Sequence, residues 1–231
     1  MNQIYTLDDF LSRSSSRLAN TILDPCPVCG RKHPVPFNAI EIGVGVVSQV
    51  PALSRSILGQ APRRPVVIYD QAIQEIVYPQ VIDPLRALGL PFEPYPMRGE
   101  PGHLLDSGVD NGSQAADEIG PSADLLISAG SGVIGDLTKW IATHLDRPFI
   151  ICGTAPSMNG YTSITATMTQ NDIKLSKFLN PANAVVLDVN LLKDAPMPMI
   201  HAGMGDLAAR AICNADWKLS ELLRGTYFCP L

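Results

Sequence analysis

Apolar positions along this chain keep two periods, and the switching between them outlines a fold. Residues 8–23 carry Phe10, Leu11, Leu18, Ile22 and Leu23 as the apolar members of an amphipathic helix. Residues 24–38 are rich in Pro and Cys and predict a loop. From residue 39 onward short apolar runs take over. Residues 39–47, 66–69, 125–129 and 149–151 predict strands, the first running into a turn, and residues 90–96 an extended segment broken by prolines. Helical segments separate them. Residues 71–88 set Ile73, Ile76, Val77, Val81, Leu85 and Leu88 on one side, residues 112–118 are polar and helical, and residues 133–144 form another helix.

Strands alternating with helices predict an α/β fold with a parallel sheet, and short continuous apolar strands suit a sheet covered on both faces. Near Thr162 the character changes. Residues 164–178 alternate around a Gln-Asn-Asp turn and predict a hairpin, and residues 184–187 predict a strand ending in Asp188. From Gly203 one long helix runs through Leu207, Ala211, Ala215, Leu219 and Leu222. The expected division is an α/β nucleotide-binding domain over residues 1–195 and the beginning of a helical domain over 196–231. A lone helix behind an α/β domain has little to pack against, so the chain is expected to stop early in that second domain.

A length of 231 residues suits this division and buries a core without disulfides. A hydrophobic fraction of 46% with 17% charged residues is globular. The formal net charge of −5 argues against bulk nucleic-acid binding, which needs a basic face. No apolar run approaches the ~20 residues of a membrane span, and the N-terminus lacks a signal-peptide pattern, so no membrane partner and a cytoplasmic location are expected. Five cysteines are scattered: Cys26, Cys29, Cys152, Cys213 and Cys229. Only Cys26-Pro-Val-Cys29, with His33 four residues on, has suggestive spacing. Structural zinc takes four ligands and three stand there, so a metal knuckle and a reduced surface loop both remain open.

The chemistry-bearing segment is Gly130-Ser131-Gly132-Val133-Ile134-Gly135-Asp136, a GxGxxG pattern between a strand and a helix. Glycines let the backbone approach a ligand, and the free N–H groups and dipole of a helix N-terminus favour a diphosphate. A tight β–α turn without ligand is the alternative. An ordinary dinucleotide fold holds the ribose with an acid ending the next strand. Here that strand ends in Cys152-Gly153-Thr154, and the acid at a strand end is Asp70, upstream. Asp70 either serves the cofactor in a different strand order or caps the helix that follows it. A second loop, Thr154-Ala-Pro-Ser157-Met-Asn159-Gly160-Tyr-Thr-Ser163, is dense in hydroxyls and follows the next strand. Both loops are expected to face one cleft at the carboxyl ends of the strands.

These two loops and the later Ala202-Gly-Met-Gly-Asp206 segment, in that order, resemble the sn-glycerol-1-phosphate dehydrogenases, particularly the bacterial AraM type. The Cys26–His33 segment resembles that family's N-terminus as well. These enzymes belong with the iron-type alcohol dehydrogenases, glycerol dehydrogenase and 3-dehydroquinate synthase. The resemblance implies a Rossmann-like nucleotide-binding domain followed by an all-helical domain, with the active site between. It implies NAD or NADP as cofactor and a divalent metal, zinc or nickel. It implies a phosphorylated substrate, dihydroxyacetone phosphate or sn-glycerol-1-phosphate, in lipid-backbone synthesis, and a homo-oligomer. Gly130, Gly132, Val133, Ile134, Gly135 and Asp136 would serve the cofactor diphosphate. Thr154, Ser157 and Ser163 would line the nicotinamide side, Asn159 would face substrate, and Asp206 would be a substrate contact and metal ligand. Two departures stand out. The family has Asp where this chain has Asn159, and it expects two His ligands downstream of Asp206. Here His33, His103, His144 and His201 all lie upstream. The rival readings are a 3-dehydroquinate synthase-like lyase and a non-catalytic nucleotide-binding module.

Overall fold

A computed structural model describes the chain at residues 25–33, 36–100 and 102–230, and eight strands organise these described residues. They are β1 (Ala39–Gly43), β2 (Pro65–Asp70), β3 (Glu93–Met97), β4 (Leu125–Gly130), β5 (Phe149–Gly153), β6 (Thr165–Gln170), β7 (Ile173–Phe178) and β8 (Ala184–Asp188). Six of them form one parallel sheet in the order β1-β8-β5-β4-β2-β3, while β6 and β7 form a separate antiparallel hairpin. The helix expected over residues 8–23 lies outside the described residues.

The continuous apolar runs of the central strands follow from cover on both faces. Val66, Ile68, Leu126, Phe149, Ile151 and Val185 enter one core cluster, and their neighbours Val67, Tyr69, Leu125, Ile127, Ile150, Cys152 and Val186 enter the other. Successive strand side chains point to opposite faces, so a strand buried on both sides shows no polar alternation. The helices fill the two faces: α1 (Val50–Leu58), α2 (Gln74–Val77) and α3 (Asp83–Ala87) on one, α4 (Val109–Ile119) and α5 (Gly132–Leu145) on the other. Between α2 and α3 the coil widens to a π turn over Tyr78–Ile82, where the Asp83 N–H bonds the Tyr78 carbonyl five residues back. Pro84, next in line, has no N–H to continue a tighter ladder. After β8 come α6 (Val189–Leu192) and the 28-residue α7 (Met197–Arg224).

Three segments differ from the expectations. The strand over 39–47 ends at Gly43, and Val46–Gln49 forms a 3-10 turn. The buried Asp188 carboxylate causes this by accepting the backbone N–H groups of Gly45 (3.0 Å) and Val47 (3.1 Å), pulling the chain out of the sheet. Helix α1 arises in a stretch with no expected element, with Pro51 in its first turn, where the missing N–H costs nothing. Helix α7 begins at Met197 rather than at Gly203 for the same reason: Pro198 sits in its first turn. The hairpin forms as expected, with Asn171 and Asp172 at φ of 51° and 61° at its tip. Successive positive φ values match the twist of two-residue hairpin turns.

One buried cation joins the site-bearing parts. Lys139 in α5 is 1% exposed. Its ammonium donates to the carbonyls of Gly160 (2.9 Å) and Thr165 (3.1 Å) and lies 3.5 Å from Asp136. Asp136 in turn accepts the Thr167 N–H at 3.0 Å. Helix α5, the 154–163 loop and β6 therefore share one ion pair. Replacing Lys139 with Met removes the cation and leaves two carbonyls and a carboxylate short of a partner. Lys139→Met is expected to lower unfolding free energy by about 3–5 kcal/mol, read as a shift in the urea midpoint.

Candidate functional site

The sheet order creates a crevice before any side chain is considered. The connection leaving β2 crosses one face of the sheet to reach β3, while the helix leaving β4 crosses the other face to reach β5. Connections diverging to opposite faces open a gap at the carboxyl ends of β2 and β4. Asp70 ends β2 and Gly130 ends β4, in neighbouring registers. The Asp70 carboxylate accepts the Ala72 N–H at 2.9 Å and so caps the turn after β2, which is one of the two roles its position allowed.

The glycines of the 130–135 loop have different physical reasons to be there. A Cβ on Gly130 would come 2.5 Å from the Cβ of Ile134, so this glycine is required by the fold's own packing. A Cβ on Gly132 would meet nothing nearer than 3.9 Å, at the Met158 methyl, and one on Gly135 would meet nothing within 4 Å. Neither packing nor a positive φ demands glycine at 132. Helix α5 opens at this residue, and the preceding Ser131 gives no side-chain cap to its first turn. The N–H groups of that turn therefore keep their donor capacity toward an anion. Val133 is half-buried and Ile134 buried against the core, so they offer backbone rather than side chain. Asp136 points away from this N-terminus, toward Lys139 and β6. Burial raises its pKa, and Lys139 opposes that shift.

The second loop lies alongside. The Thr154 N–H donates to the Gly130 carbonyl at 3.1 Å, joining the two loops at their roots. The buried Tyr161 hydroxyl donates to the Ala155 carbonyl at 2.6 Å and closes the loop on itself. Ser157 and Asn159 are half-buried. Ser163 shares a 2.7 Å hydroxyl contact with Thr165. Helix α7 then seats on this loop: a Cβ on Gly203 would overlap the Pro156 carbonyl oxygen, so the approach is backbone to backbone. Asp206 accepts the Asn159 N–H at 2.7 Å, and Arg210, one turn on, donates to the Asn159 side-chain oxygen. A cleft of about 690 Å³ results, lined by Asp136, Asn159, Ser163, Thr165, Asp206 and Arg210 among others. Sequence reasoning had singled out neither Lys139 nor Arg210. Arg210 lies one helical turn after Asp206, and that spacing was the available signal.

Residues 41–196 match the family described as iron-containing alcohol dehydrogenase. The chain belongs to that family. Among its relatives, glycerol-1-phosphate dehydrogenase (NAD(P)+) of Bacillus licheniformis is 32% identical over 206 residues, 87% of this chain and 50% of the relative. The enzyme of that name from Thermococcus sibiricus is 36% identical over 105 residues, 46% of this chain and 30% of the relative. The chain spans about half the length of the curated relatives it matches over most of its own. The fold is shared with glycerol dehydrogenase of Schizosaccharomyces pombe (TM-score 0.62, 20% identity, 75% of this chain and 42% of that one). It is shared also with an iron-containing alcohol dehydrogenase of Corynebacterium glutamicum (TM-score 0.63, 17% identity, 79% and 49%).

The family's name implies a metal, and the donor set around Asp206 does not fit one. A catalytic site of this kind takes three protein ligands. Asp206 stands in no group of three or more candidate ligands among the described residues. His201, one turn before it, is exposed, and His144 bonds the Trp140 carbonyl at 2.9 Å on α5. Cys152, at the end of β5, is no substitute: burial, with Asp188 adding to it, pushes its thiol up to about 12.

The two glycine environments give a direct contrast within this family member. Gly130→Ala is expected to cost about 1–3 kcal/mol through overpacking against Ile134. Gly132→Ala is expected to leave stability within about 0.5 kcal/mol of the parent. Paired thermal or urea melts check both.

Proposed function

We propose that this chain forms the cofactor-binding half of an NAD(P)-dependent oxidoreductase that interconverts dihydroxyacetone phosphate and sn-glycerol-1-phosphate. The observation that carries this reading is Gly132, a glycine that the fold itself does not require, at an uncapped helix N-terminus beside the sheet crevice. Family membership and relatives named glycerol-1-phosphate dehydrogenase support the substrate.

The nicotinamide cofactor supplies the hydride that converts the ketone to the secondary alcohol. The chain's residues supply position and charge. Gly132, Val133 and Ile134 offer backbone N–H groups to a diphosphate, and the α5 dipole favours its negative charge. Gly130, Gly135 and Asp136 shape and hold that turn, while Asp70 stands across the crevice on the ribose side. Thr154, Ser157 and Ser163 offer hydroxyls along the cleft wall toward the nicotinamide. Asn159 faces the substrate, and Arg210 gives the cleft a cation suited to a phosphate group. Asn159, where the resemblance implies Asp, leaves the cleft one negative charge poorer and so more accommodating to that phosphate. Asp206 is the single carboxylate the described residues bring to a metal, and no step is assigned through it. A soluble small-molecule partner and homo-oligomeric assembly complete the proposal. We assign residues 1–195 to the nucleotide-binding domain and residues 196–231 to the beginning of a helical one.

Gly132→Val tests the cofactor assignment. A Cβ with two methyl groups would fill the backbone's approach to the diphosphate, so the NADH dissociation constant is expected to rise at least about tenfold, equal to 1.4 kcal/mol. Titration by nucleotide fluorescence with an unchanged melt checks it, and unchanged affinity rules the assignment out. Residues 1–231 are further expected to oxidise NADH with dihydroxyacetone phosphate slowly or not at all, since the described residues bring one metal ligand, Asp206, to the cleft. Robust turnover would place a complete catalytic site within these residues.

A further inference from the structure

On its own, the Cys26–Cys29–His33 loop suits a metal knuckle or a reduced surface loop, because it lacks a fourth ligand. The fold supplies that ligand from the far end of the chain. Cys229 follows α7 and returns to the loop, so that the ligand atoms of Cys26, Cys29, His33 and Cys229 all lie within 4.8 Å of one another. We propose that these four side chains form a closed, tetrahedral structural zinc site, separate from the dehydrogenase cleft.

The distances suit the ion. Two thiolates each ~2.3 Å from a tetrahedral zinc stand about 3.8 Å apart. Cys26 Sγ and Cys229 Sγ are 3.7 Å apart, and neither is in a disulfide. Cys29 Sγ and His33 Nε2 are 3.0 Å apart, and they need to open by only a fraction of an ångström around an ion. The turn that carries the ligands is preformed. The Gly30 N–H donates to the Cys26 carbonyl at 2.9 Å, the Cys26 N–H to the Arg31 carbonyl at 2.9 Å, and Gly30 takes the φ of 70° that the reversal needs.

A second layer holds the ligands in place. The Tyr227 hydroxyl donates to Cys29 Sγ at 3.0 Å and lies 3.3 Å from His33 Nε2. The Arg31 guanidinium sits 4.0 Å over the Tyr227 ring, and Trp217 of α7 donates to the Tyr227 carbonyl at 2.7 Å. Such outer partners orient ligands and are a recurring feature of metal sites. Three thiols and one imidazole are a recognised structural zinc set, and three sulfurs select zinc over magnesium or calcium. With all four positions taken by the protein, none remains for substrate, so the site is structural. Binding releases the thiol protons to solvent and ties residues 26–33 to residue 229.

The test is metal analysis of the purified protein, followed by exchange to Co²⁺. About one equivalent of zinc at this site is expected, with Co²⁺ giving the intense visible bands of a tetrahedral ion and a thiolate charge-transfer band. Cys229→Ser and Cys29→Ser are each expected to lower the bound zinc at least tenfold. Cys213→Ser, on the exposed face of α7, and Asp206→Asn are expected to leave the zinc and the cobalt spectrum unchanged. Zinc retained by Cys229→Ser would overturn the proposal. So would an unmodified protein that takes up Co²⁺ without thiolate bands, or a Cys26–Cys229 disulfide as the resting state in non-reducing mass spectrometry. The cobalt spectrum of the unmodified protein decides the matter even where a serine variant fails to fold.

Discussion

A buried ammonium group has few tolerable surroundings, and Lys139 has found one that fixes three parts of this chain at once. Desolvation lowers the pKa of this lysine, and Asp136 opposes that shift. Taking such a charge out of water costs several kcal/mol unless pairing and hydrogen bonds offset it. Two carbonyls and one carboxylate do so, and each belongs to a different piece of structure: the 154–163 loop, β6 and α5 itself. The helix whose N-terminus faces the crevice thus cannot move independently of the loop that faces it. The hairpin is drawn in too, since Asp136 also takes the Thr167 N–H. An apolar residue at 139 would pack against the core and leave the loop carbonyls without a donor, so the interaction sets geometry as well as stability.

Around this anchor the glycines divide by physical cause. Gly130, Gly153 and Gly203 each stand where an added Cβ would strike a neighbour: Ile134, then Leu187 and Tyr161, then the Pro156 carbonyl. They bring strand, loop and helix into close approach. Gly132 has no such neighbour, and that contrast separates a glycine kept for packing from one with space in front of it. A GxGxxG pattern cannot make this distinction, because all three residues look alike in sequence.

Legibility in the sequence followed burial symmetry. Strands β2, β4 and β5 were readable because cover on both faces leaves unbroken apolar runs, and the hairpin because Asn171 and Asp172 tolerate the positive φ its tip needs. Helix α1 was not readable: Val46-Val47-Ser48-Gln49-Val50 looks like a strand tail, and Pro51 looks like a breaker until it is seen in a first turn. Of the site residues, the glycine loop and the hydroxyl loop could be placed from their strand–loop–helix context, and the order of motifs pointed to the family. Lys139 could not be found this way, since a lysine on a helix reads as solvent-facing without the loop that surrounds it. Cys229 was illegible for a simpler reason: it lies 203 residues from Cys26, and spacing rules reach only along the chain.

The position of α7 shows why such distant contacts matter for the cleft. Among its described residues none is buried, and Leu207, Ile212, Leu222 and Leu223 are each more than half exposed. A helix with so little buried surface is not held by a hydrophobic face. It is held at points instead. Gly203 lies against Pro156 and Asp206 against the Asn159 backbone near one end, while near the other Trp217 holds the Tyr227 carbonyl and the Tyr227–Cys229 tail meets the 26–33 loop. Asp206 and Arg210 reach the cleft only while that first seat is kept. A rigid helix pinned at its far end resists pivoting about a single near contact, so restraint at Cys229 narrows the orientations in which Arg210 can present its charge to the cleft. The two ends of α7 are thus mechanically linked through the helix, with the cleft at one and the sulfur-lined loop at the other.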